Sequence, residues 1–256
     1  MRIAVAGGTG VLGRHVVEVA QARGHDAVVF ARGQGVDLVA GTGLAAALDG
    51  VEVVVDVTSI PTQSARESDT FYRTVTRNLL TAETAAGVAH HLALSIVGAV
   101  EAPYGYYSGK ALQEQLVSQS KVPWTIQRAT QFHEIAGQIT ERLRRGPFLI
   151  VPKMRCQPVS AREVAARLID LAEAGPAGRV PDFGGPQDEQ MVDMVRALKA
   201  ATGMKGWVVP TPLPGAVGRA LRDGTLIPGP GADHGTETFD AWLRSGAASD
   251  FVPRTP

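Results

Sequence analysis

Ile3-Ala-Val-Ala-Gly-Gly-Thr-Gly-Val-Leu-Gly13 is the stretch on which the fold turns. An apolar run of strand length stops at Gly7, glycines recur at 10 and 13, and a helical pattern follows at once. Leu12, Val16, Val19 and Ala20 recur at spacings of three and four and so share one helix face, and Gly24 is placed to end that helix in a left-handed cap. Strand, glycine turn and helix in this order form a phosphate cradle. The glycines allow a tight turn and close backbone approach, and the helix N-terminus offers unpaired N–H groups and partial positive charge. Gly7, Thr9, Gly10, Val11, Leu12 and Gly13 are therefore the first candidate cofactor-binding residues. A glycine triplet alone also serves ordinary turns; here it is flanked correctly on both sides.

Outward from the cradle, short apolar runs alternate with helical patterns, the signature of strand-helix-strand units closing into a parallel sheet. The predicted strands are Arg2 to Ala6, Ala27 to Ala31, a short one at Val36 to Leu38, Val53 to Val57, His91 to Val97 and Trp124 to Arg128. Further helices are expected from Phe71 to Ala86 and from Tyr106 to before Lys121. After about residue 147 prolines and glycines become denser. Ser160-Ala-Arg-Glu163 has the form of a capping box, Glu189 to Thr202 is amphipathic, and Trp207-Val-Val209 reads as a strand stopped by Pro210. The expected fold is α/β, a Rossmann-type doubly wound parallel sheet over residues 1–146. A smaller C-terminal α/β lobe over 147–256 would bind substrate and leave room for one of its strands to return to the main sheet.

Composition narrows the function. In 256 residues, 45% hydrophobic and 20% charged, Lys plus Arg equals Asp plus Glu at 25 each. No run of like charge tracks a phosphate backbone or an anionic membrane, so neither nucleic acid nor membrane is an expected partner. The single cysteine, Cys156, allows no internal disulfide and no cysteine metal cluster, and no metal is expected. The apolar segment after Met1 is too short for a leader or a membrane span, so a cytoplasmic location is expected. The oligomeric state is left as monomer or homodimer.

The end of the second strand bears on the cofactor. An acid there would hydrogen-bond the adenosine ribose of NAD, but the residues are Phe30-Ala31-Arg32-Gly33. Arg32, with Arg14 assisting, is placed to pair with a 2′-phosphate, which favours NADP over NAD; a solvated surface arginine is the plainer reading. Asp37 and Leu38 are expected near the adenine, and Val57, Thr58 and Ser59, at the carboxyl end of a strand, near the nicotinamide. Tyr106 and Lys110 lie four apart, one helical turn on one face. An ammonium near a phenol favours its ionised form. Tyr106 is thus a candidate proton donor to a carbonyl oxygen, with Ser95 holding that oxygen and Lys110 also free to bond the nicotinamide ribose. A tyrosine and lysine so spaced are equally consistent with mere helix surface.

Gly7-Gly-Thr-Gly-Val-Leu-Gly13, Ser95-Ile-Val-Gly98, Tyr106-Tyr-Ser-Gly-Lys110 and Pro123-Trp-Thr-Ile-Gln-Arg-Ala-Thr-Gln-Phe-His133 together resemble the atypical short-chain dehydrogenase/reductases, in particular the NmrA-like NAD(P)-binding proteins, over about residues 1 to 200. The resemblance implies a Rossmann fold and a serine, tyrosine and lysine set carried by Ser95, Tyr106 and Lys110. It also implies a loop from Ala129 through Thr130 to Phe132 closing over the nicotinamide. That family holds quinone reductases, isoflavone-reductase-like proteins and NADP-sensing regulators without chemistry, so it specifies cofactor better than reaction. The expected activity is transfer of hydride from NADPH to a small carbonyl, enone or quinone; the alternative is a non-catalytic redox-sensing regulator. Among remaining candidates, Asn78 is read either as a water holder or as ordinary helix, and His133 either as a substrate contact or as a loop cap. His90 and His91 should diverge on their strand, Cys156 is structural, and Trp207, Met191 and Met194 are lobe core.

Overall fold

Five parallel strands carry the first half of the molecule: β1 (Arg2–Ala6), β2 (Asp26–Phe30), β3 (Val53–Asp56), β4 (His90–Ile96) and β5 (Trp124–Ala129). They pair in the order β2-β1-β3-β4-β5. β1 and β3 read as nearly continuous apolar runs because helices cover both faces of the sheet. The computed structural model describes residues 1–248, which fall into two compact units. One is Met1–Ala129 with Ala161–Pro181, and the other is Thr130–Ser160 with the chain from Asp182 onward.

In the first unit, α1 (Val11–Ala22) ends as its sequence predicts. Gly24 takes φ +80°, Gly24 N donates to Gln21 O, and His25 N donates to Ala20 O, the paired bonds of a Schellman cap. After β2 comes a difference from expectation. Val36 to Leu38 form no sheet strand: Arg32–Gln34 make a single 3-10 turn, and Asp37 only bridges Thr42. The cause is a loop wound by glycines. Gly35, Gly41 and Gly43 all have positive φ, and a Cβ on Gly43 would lie 2.1 Å from Gly35 O.

α2 (Leu44–Ala47) and α3 (Ala65–Ala86) then cover one sheet face, where Phe30, Val36, Leu48, Val54, Val75 and Leu79 form a core cluster. α3 begins six residues before its apolar period, because Ser64 accepts a hydrogen bond from Glu67 N at 3.3 Å and so caps a polar first turn. α4 (Tyr106–Ser118) packs against α3 and β4.

The expected boundary at residue 146 does not match these units. The helix Ala161–Ala174 belongs to the first, packing against α1, β3, β4 and β5, and the two-residue strand Gly178–Arg179 pairs with β5. Arg23 reaches Asp170 at 2.6 Å and Glu173 at 3.0 Å, and His25 reaches Glu173 at 2.8 Å, which fastens this returning helix to the end of α1.

The second unit holds the helices Ile135–Leu143 and Met191–Thr202 and a small sheet in which Phe148–Pro152 pairs parallel with Trp207–Thr211 and antiparallel with Arg144–Arg145. Trp207–Thr211 runs through Pro210 where the sequence suggested a stop; it is an edge strand, where a residue without an N–H is tolerated. Met191, Met194 and Cys156 are buried as expected, whereas Trp207, at the start of that edge strand, is 67% exposed, its ring tilted at 45° against Phe148. No helix among the described residues is long and apolar enough to cross a membrane.

Candidate functional site

The strand order turns back on itself between β1 and β3, because β1 connects outward to β2 and the chain then returns across β1 to β3. At such a switch point the two flanking loops diverge and leave a crevice at the carboxyl edge. Here those loops are Gly7–Gly13 after β1 and Val57–Ser59 after β3, both sequence candidates.

The glycines fit a pyrophosphate cradle for separate reasons. Gly7 has φ +87°, and a Cβ on it would lie 2.8 Å from Val57 O. A Cβ on Gly13 would lie 2.1 Å from Gly7 O and 2.6 Å from Gly8 Cα, so the helix can start this close to the turn only with hydrogen there. On Gly10 a Cβ would meet only Gly7 O at 3.2 Å; its bareness serves approach from outside. α1 starts with no side-chain cap and no acid in its first turn, which leaves its N–H groups and positive end available to an anion. Val11 is exposed and Leu12 is buried in the core. Thr9 O accepts a 3.4 Å bond from Arg14, so Arg14 closes the turn. Thr58 Oγ1 is buried at the crevice without a hydrogen-bond partner among the described residues. A dinucleotide phosphate fits this cradle on all these counts.

Beyond β2, Arg32 is exposed at the start of its 3-10 turn. Asp37 spends its carboxylate within its own loop, accepting from Val39 N at 2.8 Å and Ala40 N at 3.0 Å. Those bonds, with Arg32 nearby, hold it below the usual carboxylate range. Asn78 donates to Leu38 O and Val39 O at 2.9 and 3.0 Å. It is therefore the clasp of the 37–42 loop, neither of the two roles considered from sequence.

The phenol of Tyr106 stands at the same edge, but with other companions than expected. Its oxygen lies 3.1 Å from Ser59 Oγ and 2.6 Å from the oxygen of Tyr72 on α3. Ser95 is not among them. It lies in register with Arg128 on β5, buried beside Glu114 of α4. Burial pushes the Glu114 carboxyl up, while hydrogen bonds from Arg128 and the charges of Arg128 and Arg179 hold it below its ordinary value. Ser95 thus lies beside a buried ion cluster, its Oγ without a hydrogen-bond partner among the described residues, and Ser59 supplies the hydroxyl at the phenol. The reason is strand alternation: the Ser95 side chain points under α4 rather than over the strand end.

Lys110 also departs from expectation. Its Nζ, almost wholly buried, donates to Leu94 O and to Gln113 Oε1, both at 2.8 Å, and sits 4.6 Å from the centre of the Tyr72 ring. Gln113 Nε2 donates at 2.8 Å to Asp56 Oδ2, and Asp56 Oδ1 accepts from Thr58 N. The buried cation is matched to a buried carboxylate through one amide; among the described residues no hydrogen bond joins Lys110 to Tyr106. Sequence reasoning missed Tyr72, Gln113 and Asp56. Gln113 was detectable as the i+3 neighbour of Lys110 and Asp56 as the lone acid ending an apolar strand, whereas nothing local marks Tyr72.

Ala129 ends β5 in register with Ile96. Thr130 and Phe132 belong to the second unit: Thr130 Oγ1 donates to Gln157 O at 2.5 Å, and Phe132 bridges Val159. His133 is buried there too, against Phe239 and Trp242, with Nε2 3.1 Å from Glu237 O. That makes it a core residue of the second unit. On β4 the two histidines diverge, His90 to Thr125 Oγ1 and His91 to Glu83. Burial pushes the Cys156 thiol up to about 12, which leaves it inert.

A switch-point crevice with a bare glycine turn and an uncapped helix end defines a Rossmann-type nucleotide-binding protein. The match to the family model described as NAD(P)H-binding, over residues 7–174, makes the assignment narrower: this chain belongs to that family. Solved structures share the fold. A nucleoside-diphosphate-sugar epimerase from Staphylococcus aureus is 18% identical, covering 95% of this chain and 100% of that one, with a TM-score of 0.71. An NADPH-dependent quinone oxidoreductase from Escherichia coli is 19% identical, with coverages of 95% and 98% and a TM-score of 0.66. A UDP-glucose 4-epimerase from Thermus thermophilus, solved with NAD, is 19% identical, with coverages of 100% and 95% and a TM-score of 0.67. Among curated proteins none matches this chain in sequence.

Proposed function

We propose that this chain is an NADP-dependent oxidoreductase of NmrA-like type, reducing a small carbonyl, enone or quinone, with Tyr106 as proton donor. The observation that carries the reading is the Tyr106 phenol at the nucleotide crevice, held by two hydroxyls, Ser59 and Tyr72. When bound, NADPH supplies the hydride. The turn Gly7–Gly13 and the start of α1 would hold its phosphates, Arg32 its 2′-phosphate, and Thr58 and Ser59 line the reacting end. A substrate oxygen beside Tyr106 takes the phenolic proton as negative charge develops on it. Ser59 Oγ orients that oxygen, the part first assigned to Ser95. Lys110, through its bonds to Leu94 O and Gln113, fixes the turn of α4 behind the phenol. A cytoplasmic location belongs to the same reading, since one buried cysteine suits a reducing compartment.

The test is fluorescence titration with NADPH and NADH, then NADPH oxidation against quinones, enones and aldehydes. We expect tighter binding of NADPH and turnover of at least one class. Tyr106→Phe should lower kcat by roughly a hundredfold or more, the usual scale for a lost general acid; a fall of only a few-fold would remove that role. One observation favours a second reading, a redox-sensing regulator without chemistry: the lysine charge is spent on neighbours other than the phenol. That reading predicts NADPH binding with no turnover across the panel.

A further inference from the structure

We infer that Tyr72 is a positioning residue for Tyr106: its buried hydroxyl fixes the Tyr106 oxygen and donates a hydrogen bond to it when that oxygen loses its proton. The inference rests on the reading of Tyr106 as proton donor.

The geometry locks the two rings together. Tyr72 is fully buried, its ring edge-on to Phe71 and 5.9 Å from the Tyr106 ring. Ser68, one turn before Tyr72 on α3, donates from Oγ to the Tyr106 backbone carbonyl at 2.8 Å, so α3 holds Tyr106 at both ends. The helices approach this closely because position 109 is glycine; a Cβ there would lie 2.3 Å from Ser68 Oγ and 2.6 Å from Tyr72 Cδ2.

The Tyr72 hydroxyl has one proton and two acceptors in reach, Thr58 O at 3.1 Å and Tyr106 Oη at 2.6 Å. While Tyr106 is protonated and donates to Tyr72, the Tyr72 proton points to Thr58 O. Once Tyr106 has passed its proton to the substrate oxygen, rotation about one C–O bond turns the Tyr72 proton onto the phenolate. Tyr72 gives up nothing: burial, then the neighbouring Tyr106 and Asp56, push its own ionisation well above the usual phenol range, so it stays a donor throughout. The Lys110 ammonium over its ring draws electron density from the hydroxyl and strengthens that donation.

Tyr72→Phe keeps the ring and its packing and removes only the hydroxyl. The first readout is phenolate ultraviolet absorbance of the full chain against pH, with the Tyr106 step isolated by subtracting the matching Tyr106→Phe protein. We expect its midpoint to move up by about one pH unit in Tyr72→Phe; an unmoved or lowered midpoint overturns the inference. In steady-state assays kcat should fall about tenfold with KM for the carbonyl and affinity for NADPH unchanged. Should Tyr72→Phe not fold, ring-labelled tyrosine NMR on the unaltered chain decides. Tyr106 ionising while Tyr72 stays protonated supports the inference, and Tyr72 ionising first or together with it overturns it. If Tyr106→Phe retains its turnover, the acid role of Tyr106 is lost, and the titration still reports on the hydrogen bond.

Discussion

At the scale of single residues, hydrogen in place of a methyl group decides whether the cradle exists. Gly7 and Gly13 press on backbone closer than 3 Å, which cannot yield, whereas a Cβ on Gly10 would meet a single backbone oxygen, Gly7 O, at 3.2 Å. Gly13→Ala should therefore destabilise the protein by about 1–3 kcal/mol, the usual cost of overpacking, and abolish NADPH binding. Gly10→Ala should leave stability within about 1 kcal/mol and weaken only the nucleotide. Thermal melting beside fluorescence titration separates the two effects; equal losses of stability would overturn this account. The residues legible from sequence were those whose role is carried by backbone. Side-chain roles fared differently: Asn78 clasps a loop and Ser95 is buried beside an ion cluster, because both surroundings are built by residues 40 and 19 positions away in sequence, Leu38 and Glu114.

At the scale of elements, β4 carries a pH dependence. His90 and His91 face opposite ways from one strand, and their environments push them apart. Burial and the neighbouring His91 lower His90 to about 4. For His91, burial works against the charged form, but the Glu83 carboxylate, 2.9 Å away, prevails and raises it above 6.5. Below pH 6.5 the unfolded chain takes up a proton that folded His90 refuses, so its effect is a loss of stability from 6.5 down to about 4. His91 acts oppositely: its contribution is complete below 6.5 and is lost as pH rises through its folded value. Urea midpoints of His90→Gln against the parent between pH 4 and 7 should converge toward pH 7, with the variant progressively more stable on the acid side. Parallel curves would exclude His90 as the source. Helix ends followed local rules at α1, whose Schellman glycine was read correctly. The start of α3 was missed because a capping serine, rather than an apolar face, sets it.

For the molecule as a whole, the path of the chain departs from its composition. Denser prolines and glycines suggested one cut at residue 146, yet Ala161–Pro181 return to the first unit. The returning helix buries Val164, Leu168, Ile169 and Leu171. At about 1.5–3 kcal/mol for each such side chain, it contributes roughly 6–12 kcal/mol, comparable with the entire stability of a typical domain. A chain ending at residue 146 should accordingly lack a cooperative thermal transition and bind no NADPH, although every glycine of the cradle is present. A sharp melt of that fragment would show the helix to be an accessory.

The alternation of apolar runs and helical periods sufficed to specify the parallel sheet, its glycine turn and the nucleotide class, because these follow from short-range periodicity and from backbone geometry near glycine. It did not specify which hydroxyls meet at Tyr106, where the Lys110 charge is spent, or which helix completes the first unit. Each of these joins residues from separate elements: Ser59 and Tyr72 with Tyr106, Leu94 with Lys110 and Asp56 with Gln113, Asp170 and Glu173 with Arg23. Such meetings are set by how helices pack on a sheet, and no local pattern records them.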